Sequence, residues 1–393
     1  MNCIIKTLML TDSVRLALGD HHSMILLSDG SVWSTSVLLD SYSPPATNYL
    51  QQVIRNGAIA VAAGISYSIV LKEDGSVWAA GRNSRGQHGD GRRISTNTFN
   101  FAQAVIGAKS VAAGGRHSIL VTEEGQVWVT GWNKYGQLGV VVTSYASRFR
   151  EVISSEAVAV AAGEMHSMVL KEDGSVWVTG RNDNGQLGIG TKTNSVTFVK
   201  TIPSGATGVA AGSHHSMVLK ADGSVWVTGS NQHGQLGDGL STDRVHFLAV
   251  VPGEAKAVAA GGKHSMVLRQ DGSVWSTGCN DCGQLGDGSN TNSDVYVQVF
   301  SRGAKIIAAG YFHSMLLATD GSIWAAGANT YGQFGDGSKT SSNHFVKLHG
   351  SGHDRIIDEL FASISPRHHT NSLHSRRRDV HGIISYAYHQ GAD

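Results

Sequence analysis

The alternation of apolar and polar positions divides the chain into short segments, none of which reads as a long buried helix. His-Ser-Met-Val-Leu-Lys from His166 and Ser-Val-Trp-Val-Thr-Gly from Ser175 are typical: brief, rich in Val, Met, Leu and Trp, and bounded by turn residues. Such segments read as β-strands, because branched and aromatic side chains fit a pleated, packed surface. The dipeptide between them is Asp-Gly, which tolerates positive φ and suits a two-residue hairpin. It recurs as Asp29-Gly30, Asp74-Gly75, Asp173-Gly174, Asp222-Gly223, Asp271-Gly272 and Asp320-Gly321, with Glu124-Gly125 as a variant. A Val-Ala-Ala-Gly segment before each pair, and a later run such as Thr197 to Lys200, predict about four strands per unit.

The unit repeats. The stretch beginning at Val160 returns at Val209, Val258 and Ile307, and earlier copies open at Val61 and Val111. Tryptophan marks the register at Trp33, Trp78, Trp128, Trp177, Trp226, Trp275 and Trp324, with successive gaps of 45, 50, 49, 49, 49 and 49 residues. Seven copies follow, the first degenerate. Four short antiparallel strands in about 50 residues match one propeller blade. A blade cannot bury both faces alone, and a closed ring of blades buries them all. The expected fold is therefore all-β: a seven-bladed β-propeller of about four antiparallel strands per blade, with an irregular first repeat and a C-terminal tail. The propeller is assigned to residues 1–350 and the tail to 351–393.

The shared positions are the Gly-x-x-His-Ser step, the Asp-Gly turn, the aromatic strand and Gly-x-Asn-x-x-Gly-Gln-Leu-Gly. Over about residues 14–350 they resemble the regulator-of-chromosome-condensation repeat family, whose members form seven-bladed propellers. Several copies depart from the pattern. After Trp33 the first copy lacks the Gly-x-Asn segment. The second has Tyr67 for the repeat histidine and His88 for leucine, and the third has Val140-Val141 after Gly139. The resemblance also implies closure by pairing of terminal strands in one blade, with residues 3–10 and 343–348 as candidates.

Composition changes this picture little. The 393 residues carry 49 glycines and only 16% charged residues, as expected of many short strands joined by tight turns. Lys plus Arg (31) nearly balances Asp plus Glu (30), which argues against a nucleic-acid partner needing phosphate neutralisation. Three cysteines, Cys3, Cys279 and Cys282, cannot form a disulfide framework, so a reducing compartment is expected: the cytoplasm, with the nucleus as alternative. Lys6 and Asp12 interrupt the apolar N-terminus, and no stretch approaches the roughly 20 apolar residues of a membrane helix. A soluble monomer is expected. In the tail, Asp354 to Ile364 could form a short amphipathic helix ended by Pro366, and a disordered segment with Arg376-Arg377-Arg378 follows.

Three motifs invite chemistry that their setting denies. His22, His117, His166, His215, His264 and His313 occupy one repeat position, so a ring spreads them too widely for one metal; structural histidines bonding backbone are expected. Cys279 and Cys282 form Cys-x-x-Cys in a turn, without the second ligand pair of a zinc site or the helix start of a redox pair. Gly-Gln-Leu-Gly-Asp-Gly lacks the Gly-Lys-Ser/Thr and helix of a phosphate loop. No catalytic residue, cofactor or metal is expected. The repeated asparagines, such as Asn182 and Asn231, are expected to satisfy turn backbone groups.

Variation between copies is more informative. The two residues between Gly and His lie on one face of a ring and make a mixed polar and aromatic surface. Arg116, Glu164, Met165, His214, Lys263, Tyr311 and Phe312 are the candidate partner contacts, since Arg, Met and aromatics favour interfaces. A second set from the Gly-x-Asn-x-x-Gly turns includes Arg82, Arg85, Lys134, His233 and Tyr331, with Trp132 and Tyr135 as an exposed contact cluster. The leading expectation is a protein-interaction platform rather than an enzyme. The family resemblance supplies the alternative, guanine nucleotide exchange on a Ran-like small GTPase. That activity uses an inserted β-wedge, for which the even spacing leaves no obvious room. The tryptophans of the family's ultraviolet photoreceptors are missing from the Gly-x-x-His step, a basic N-terminal arm for chromatin is absent, and no ligase domain is present.

Overall fold

In each repeat the Asp-Gly turn folds the second strand back onto the third, and the Gly-x-x-His and Gly-x-Asn segments join the other neighbours. The computed structural model describes residues 14–35, 48–141 and 144–348. These form seven four-stranded antiparallel sheets, each a meander of consecutive strands. Blade 4 is representative, with strands Ala157–Ala162, His166–Lys171, Val176–Gly180 and Ser195–Ile202. Blade 1 has shorter strands, Arg15–Leu18, Ser23–Leu26, Val32–Ser34 and Gln51–Ile54. The expected irregularity of the first repeat thus leaves the four-strand plan intact. The C-terminal tail lies outside the described residues.

Burial follows strand position. The second strand is covered on both faces by adjacent blades, which is why His-Ser-Met-Val-Leu carries no alternation and is buried throughout in blades 4, 5 and 6. The fourth strand faces outward and is the most exposed. The first strands line the axis, where alanines at 62, 63, 112, 113, 162, 211, 259, 260, 308 and 309 surround a cavity of about 100 Å3. Blade 1 adds Leu16 and Leu18 to this lining.

Repeat tryptophans pack towards the preceding blade: Trp128 against blade 2, Trp226 against blade 4 and Trp324 against blade 6. The indole N–H donates to the side chain two residues earlier, Ser224 at 3.0 Å for Trp226 and Gln126 at 3.4 Å for Trp128. Lys220 lies 3.8 Å from the Trp226 ring centroid, placing a cation over its face.

The expected closure pairs residues 3–10 with 343–348, and only the second of these segments lies within the described residues. The strand Ser342–Lys347 is the outer strand of blade 7, paired with Ile323–Gly327 of the same repeat. Residues 3–10 lie outside the described residues. Every blade is built from four strands consecutive along the chain, and blades 7 and 1 meet through the contacts used elsewhere. Tyr311 N–H donates to Gly19 O at 3.0 Å, Ser23 meets His313 at 2.9 Å, and one apolar cluster joins Leu16 and Ile25 to Met315 and Leu317.

Candidate interaction face

A side-chain belt holds the blades beneath the face. His166 Nε2 lies 2.9 Å from Ser216 Oγ of the next blade, and His215 Nε2 3.0 Å from Ser265 Oγ. His22, His117, His264 and His313 make the equivalent contacts with Ser68, Ser167, Ser314 and Ser23. Ser216 and Ser265 donate their own hydroxyls to the carbonyls of Gln186 and Gln235, at 2.8 and 2.7 Å. Each serine proton is therefore spent, and the imidazole must donate from Nε2. The six Nδ1 atoms are buried without a partner. Burial favours the neutral ring, holding His166, His215 and His313 at a pKa of about 3 and His117 and His264 at about 4. The expected backbone partner is reached only through serine, a role visible in the repeated His-Ser dipeptide.

At the departure in repeat 2, Tyr67 replaces the imidazole and its hydroxyl donates to the His117 carbonyl. Burial pushes this phenol above its ordinary pKa and keeps it protonated. His88, its ring tilted by 33° to Tyr67 with centroids 6.3 Å apart, is held at a pKa of about 4 by burial.

Above the belt, the two variable loop sets lie side by side. An antiparallel meander sends the Gly-x-x-His and Gly-x-Asn turns to the same end of the blade. The variable residue of the second turn then donates its backbone N–H to the carbonyl of the variable residue before histidine. Trp132 pairs with Arg116 at 2.8 Å, Arg181 with Met165 at 2.9 Å, Cys279 with Lys263 at 2.8 Å and Ala328 with Phe312 at 2.9 Å. Glycine permits this approach: a Cβ on Gly131, at φ +103, would stand 2.5 Å from the Arg116 carbonyl oxygen. The asparagine fixes the turn from inside, Asn182 accepting from Leu187 N–H at 2.9 Å and donating to Thr191 O at 2.8 Å.

The nine candidate contacts are all half-buried on this face. Glu164 and Tyr311 also line the rim of the axial channel. Glu164 pairs with His214 at 3.7 Å. Tyr311 and Phe312 form an aromatic group with ring centroids 4.5 Å apart, extended by His21 stacked 6.5 Å from Phe312 and lying 4.3 Å from Tyr331. Trp132 and Tyr135 are not freely exposed, as the sequence reading had them. Arg85 and Arg116 lie 5.3 and 5.5 Å from the Trp132 ring, while Arg181 and Lys134 lie 5.2 and 5.5 Å from Tyr135. Arg181 was missed, although it occupies the same repeat position as Arg82 and Trp132. Its Nε also pairs with Asp183 at 2.7 Å.

Cys279 and Cys282 sit in the blade 6 turn of this face as free thiols, and burial pushes both above their ordinary pKa. That is the reverse of what a reactive pair requires. Among the described residues no group of three His, Cys, Asp or Glu side chains could hold a metal ion.

A belt-locked ring of seven repeated blades, with its varied side chains collected at one end, defines a repeat-built β-propeller. The chain belongs to the RCC1-like domain family, whose model matches residues 3–252 and, in an overlapping register, 108–369. Among solved structures it is similar to human WBSCR16, at 22% identity and TM-score 0.69 over 77% of this chain and 85% of that one. It is also similar to Prp20p of Saccharomyces cerevisiae, at 21% identity and TM-score 0.67 over 76% of this chain and 80% of that one. That protein was described together with its binding to Gsp1p and histones, and separately as yeast RCC1 bound by Kap60. No curated protein matches the sequence. At these identities the likeness shows the fold.

Proposed function

We propose that this chain is a protein-interaction platform and that the face formed by its two variable loop sets is the docking surface. One observation carries the reading: side chains differ from blade to blade at paired positions whose backbones are tied together in the same way. The aromatic group of Tyr311, Phe312, His21 and Tyr331 supplies the kind of rigid, half-buried anchor that dominates binding energies. The RCC1-like relatives support a protein partner in general.

The test is affinity capture with mass spectrometry, comparing wild type with a folded Tyr311→Ala/Phe312→Ala variant. Loss of a captured protein from the variant alone is the expected result. Identical profiles would remove the aromatic sector from the docking surface. The Prp20p likeness supports a second reading, nucleotide exchange on a Ran-like small GTPase. If the lost protein is a GTPase, stimulated nucleotide release decides between exchange and simple binding.

A further inference from the structure

The opposite sector of the same face has a different character. Arg82 and Arg85 come from the blade 2 turn, Arg116, Trp132 and Tyr135 from blade 3, and Arg181 from blade 4. Trp132 and Tyr135 meet edge to face, with centroids 5.7 Å apart and planes at 78°. Guanidinium groups approach both rings, as described above.

Arg181 has a carboxylate, Asp183. Arg82, Arg85 and Arg116 make no ion pair among the described residues, and Arg85 Nε is buried without a hydrogen-bond partner. Desolvation, then Arg82 and Arg85, lower the pKa of Arg116; Glu164 is the acidic group that opposes this. Three like charges are thus held together by turn backbones, with Glu164 acting on Arg116 and no ion pair to any of the three among the described residues. Such a group is unfavourable for the free protein and becomes favourable when an anion sits among the three.

We infer that the Arg82–Arg85–Arg116 cluster, flanked by Trp132 and Tyr135, is a docking site for an acidic peptide segment of a protein partner. This rests on the platform reading and adds the chemistry of the partner. A planar carboxylate matches the guanidinium fork and can accept two N–H bonds from it. The ring edges beside the cluster offer apolar contact to the peptide's neighbouring side chains. A nucleic-acid backbone fits less well, since duplex binding draws on cations spread along a track. Here Asp183 and Glu164 border the spot and the chain's net charge is only +1.

The test is fluorescence anisotropy on the full chain, with a fluorescein-labelled peptide of alternating glutamate and leucine. The same peptide with glutamine for glutamate is the neutral control. The expected result is binding of the acidic peptide alone, weakened by salt. Arg85→Ala/Arg116→Ala should lower affinity about tenfold or more, because each charge-assisted contact contributes on that order. Arg302→Ala, an exposed arginine at the far end of blade 7, should leave it unchanged. Where the double variant does not fold, Arg116→Gln alone serves, with an unchanged urea midpoint as the folding control. Equal binding of the glutamine peptide, equal affinity in the arginine variants, or preference for a short DNA duplex would each overturn the inference. The peptide assay uses no cellular partner, so it can fail while the Tyr311/Phe312 comparison succeeds, and the reverse.

Discussion

Moving the protein from pH 7 to pH 5.5 is expected to remove about 7 kcal/mol of stability, most of what an ordinary domain possesses. The source is the buried histidines. An unfolded histidine titrates near 6.5. In the ring, burial holds His166, His215 and His313 at about 3 and His88, His117 and His264 at about 4. Their folded values are depressed, so below 6.5 the unfolded chain binds protons that the folded chain refuses, and stability falls as pH falls. Between pH 7 and 5.5 each such residue forfeits about 1.2 kcal/mol, and six forfeit about 7. At pH 5.5 every folded value is already more than a unit away, so the sum barely depends on whether a ring sits at 3 or at 4. Asp222 and Asp320, held below their ordinary value by serine hydrogen bonds, stay ionised across this window and contribute nothing to the slope. The assay is urea unfolding followed by tryptophan fluorescence at several pH values. His215→Gln keeps an N–H donor, removes one titrating group and should reduce the slope by about a sixth. A urea midpoint that stays constant from pH 7 to 5.5 would refute the reasoning, because neutral buried imidazoles could not produce it.

Two further perturbations probe the frame. Ser265→Ala leaves the His215 N–H without an acceptor and the Gln235 carbonyl without its hydroxyl donor; the expected loss is about 2–4 kcal/mol, read from the urea midpoint, and a change below about 0.5 would deny the belt its role. Gly131→Ala sets a Cβ 2.5 and 2.6 Å from Arg116 and His117 backbone atoms that cannot give way, for roughly 2–5 kcal/mol, whereas Gly57→Ala at φ +75 meets nothing within 4 Å and should lose only about 1–2 kcal/mol. Equal thermal shifts for the two glycine variants would contradict the close-approach argument.

The repeat was legible because each local signal agreed with the others: the Trp spacing, the Asp-Gly turns and the short apolar runs all pointed to one unit. The belt was half legible. Its histidines were visible as structural, yet their serine partners lie one repeat on, and only the ring brings Ser265 beside His215. The face was read as two surfaces. Arg116 and Trp132 are separated by a whole hairpin in sequence, and the backbone bond that pairs them follows only once the meander is folded. The arginine cluster was less visible still, since Arg82 and Arg85 come from one blade and Arg116 from the next. The closure expectation rests partly on residues 3–10, which lie outside the described residues; the described strand Ser342–Lys347 pairs with Ile323–Gly327 of its own repeat.

The bond that ties the paired face positions together uses main-chain atoms alone, an N–H from one turn and a C=O from the other. Side-chain identity there is consequently decoupled from architecture. Shifting the whole pattern of these side chains by one repeat would turn the cationic sector through one-seventh of a revolution while every belt contact stayed in register. The molecule is in this sense a dial whose markings can be rewritten without altering the wheel, and its recognition pattern can diverge by substitution alone, with no insertion and no change of fold.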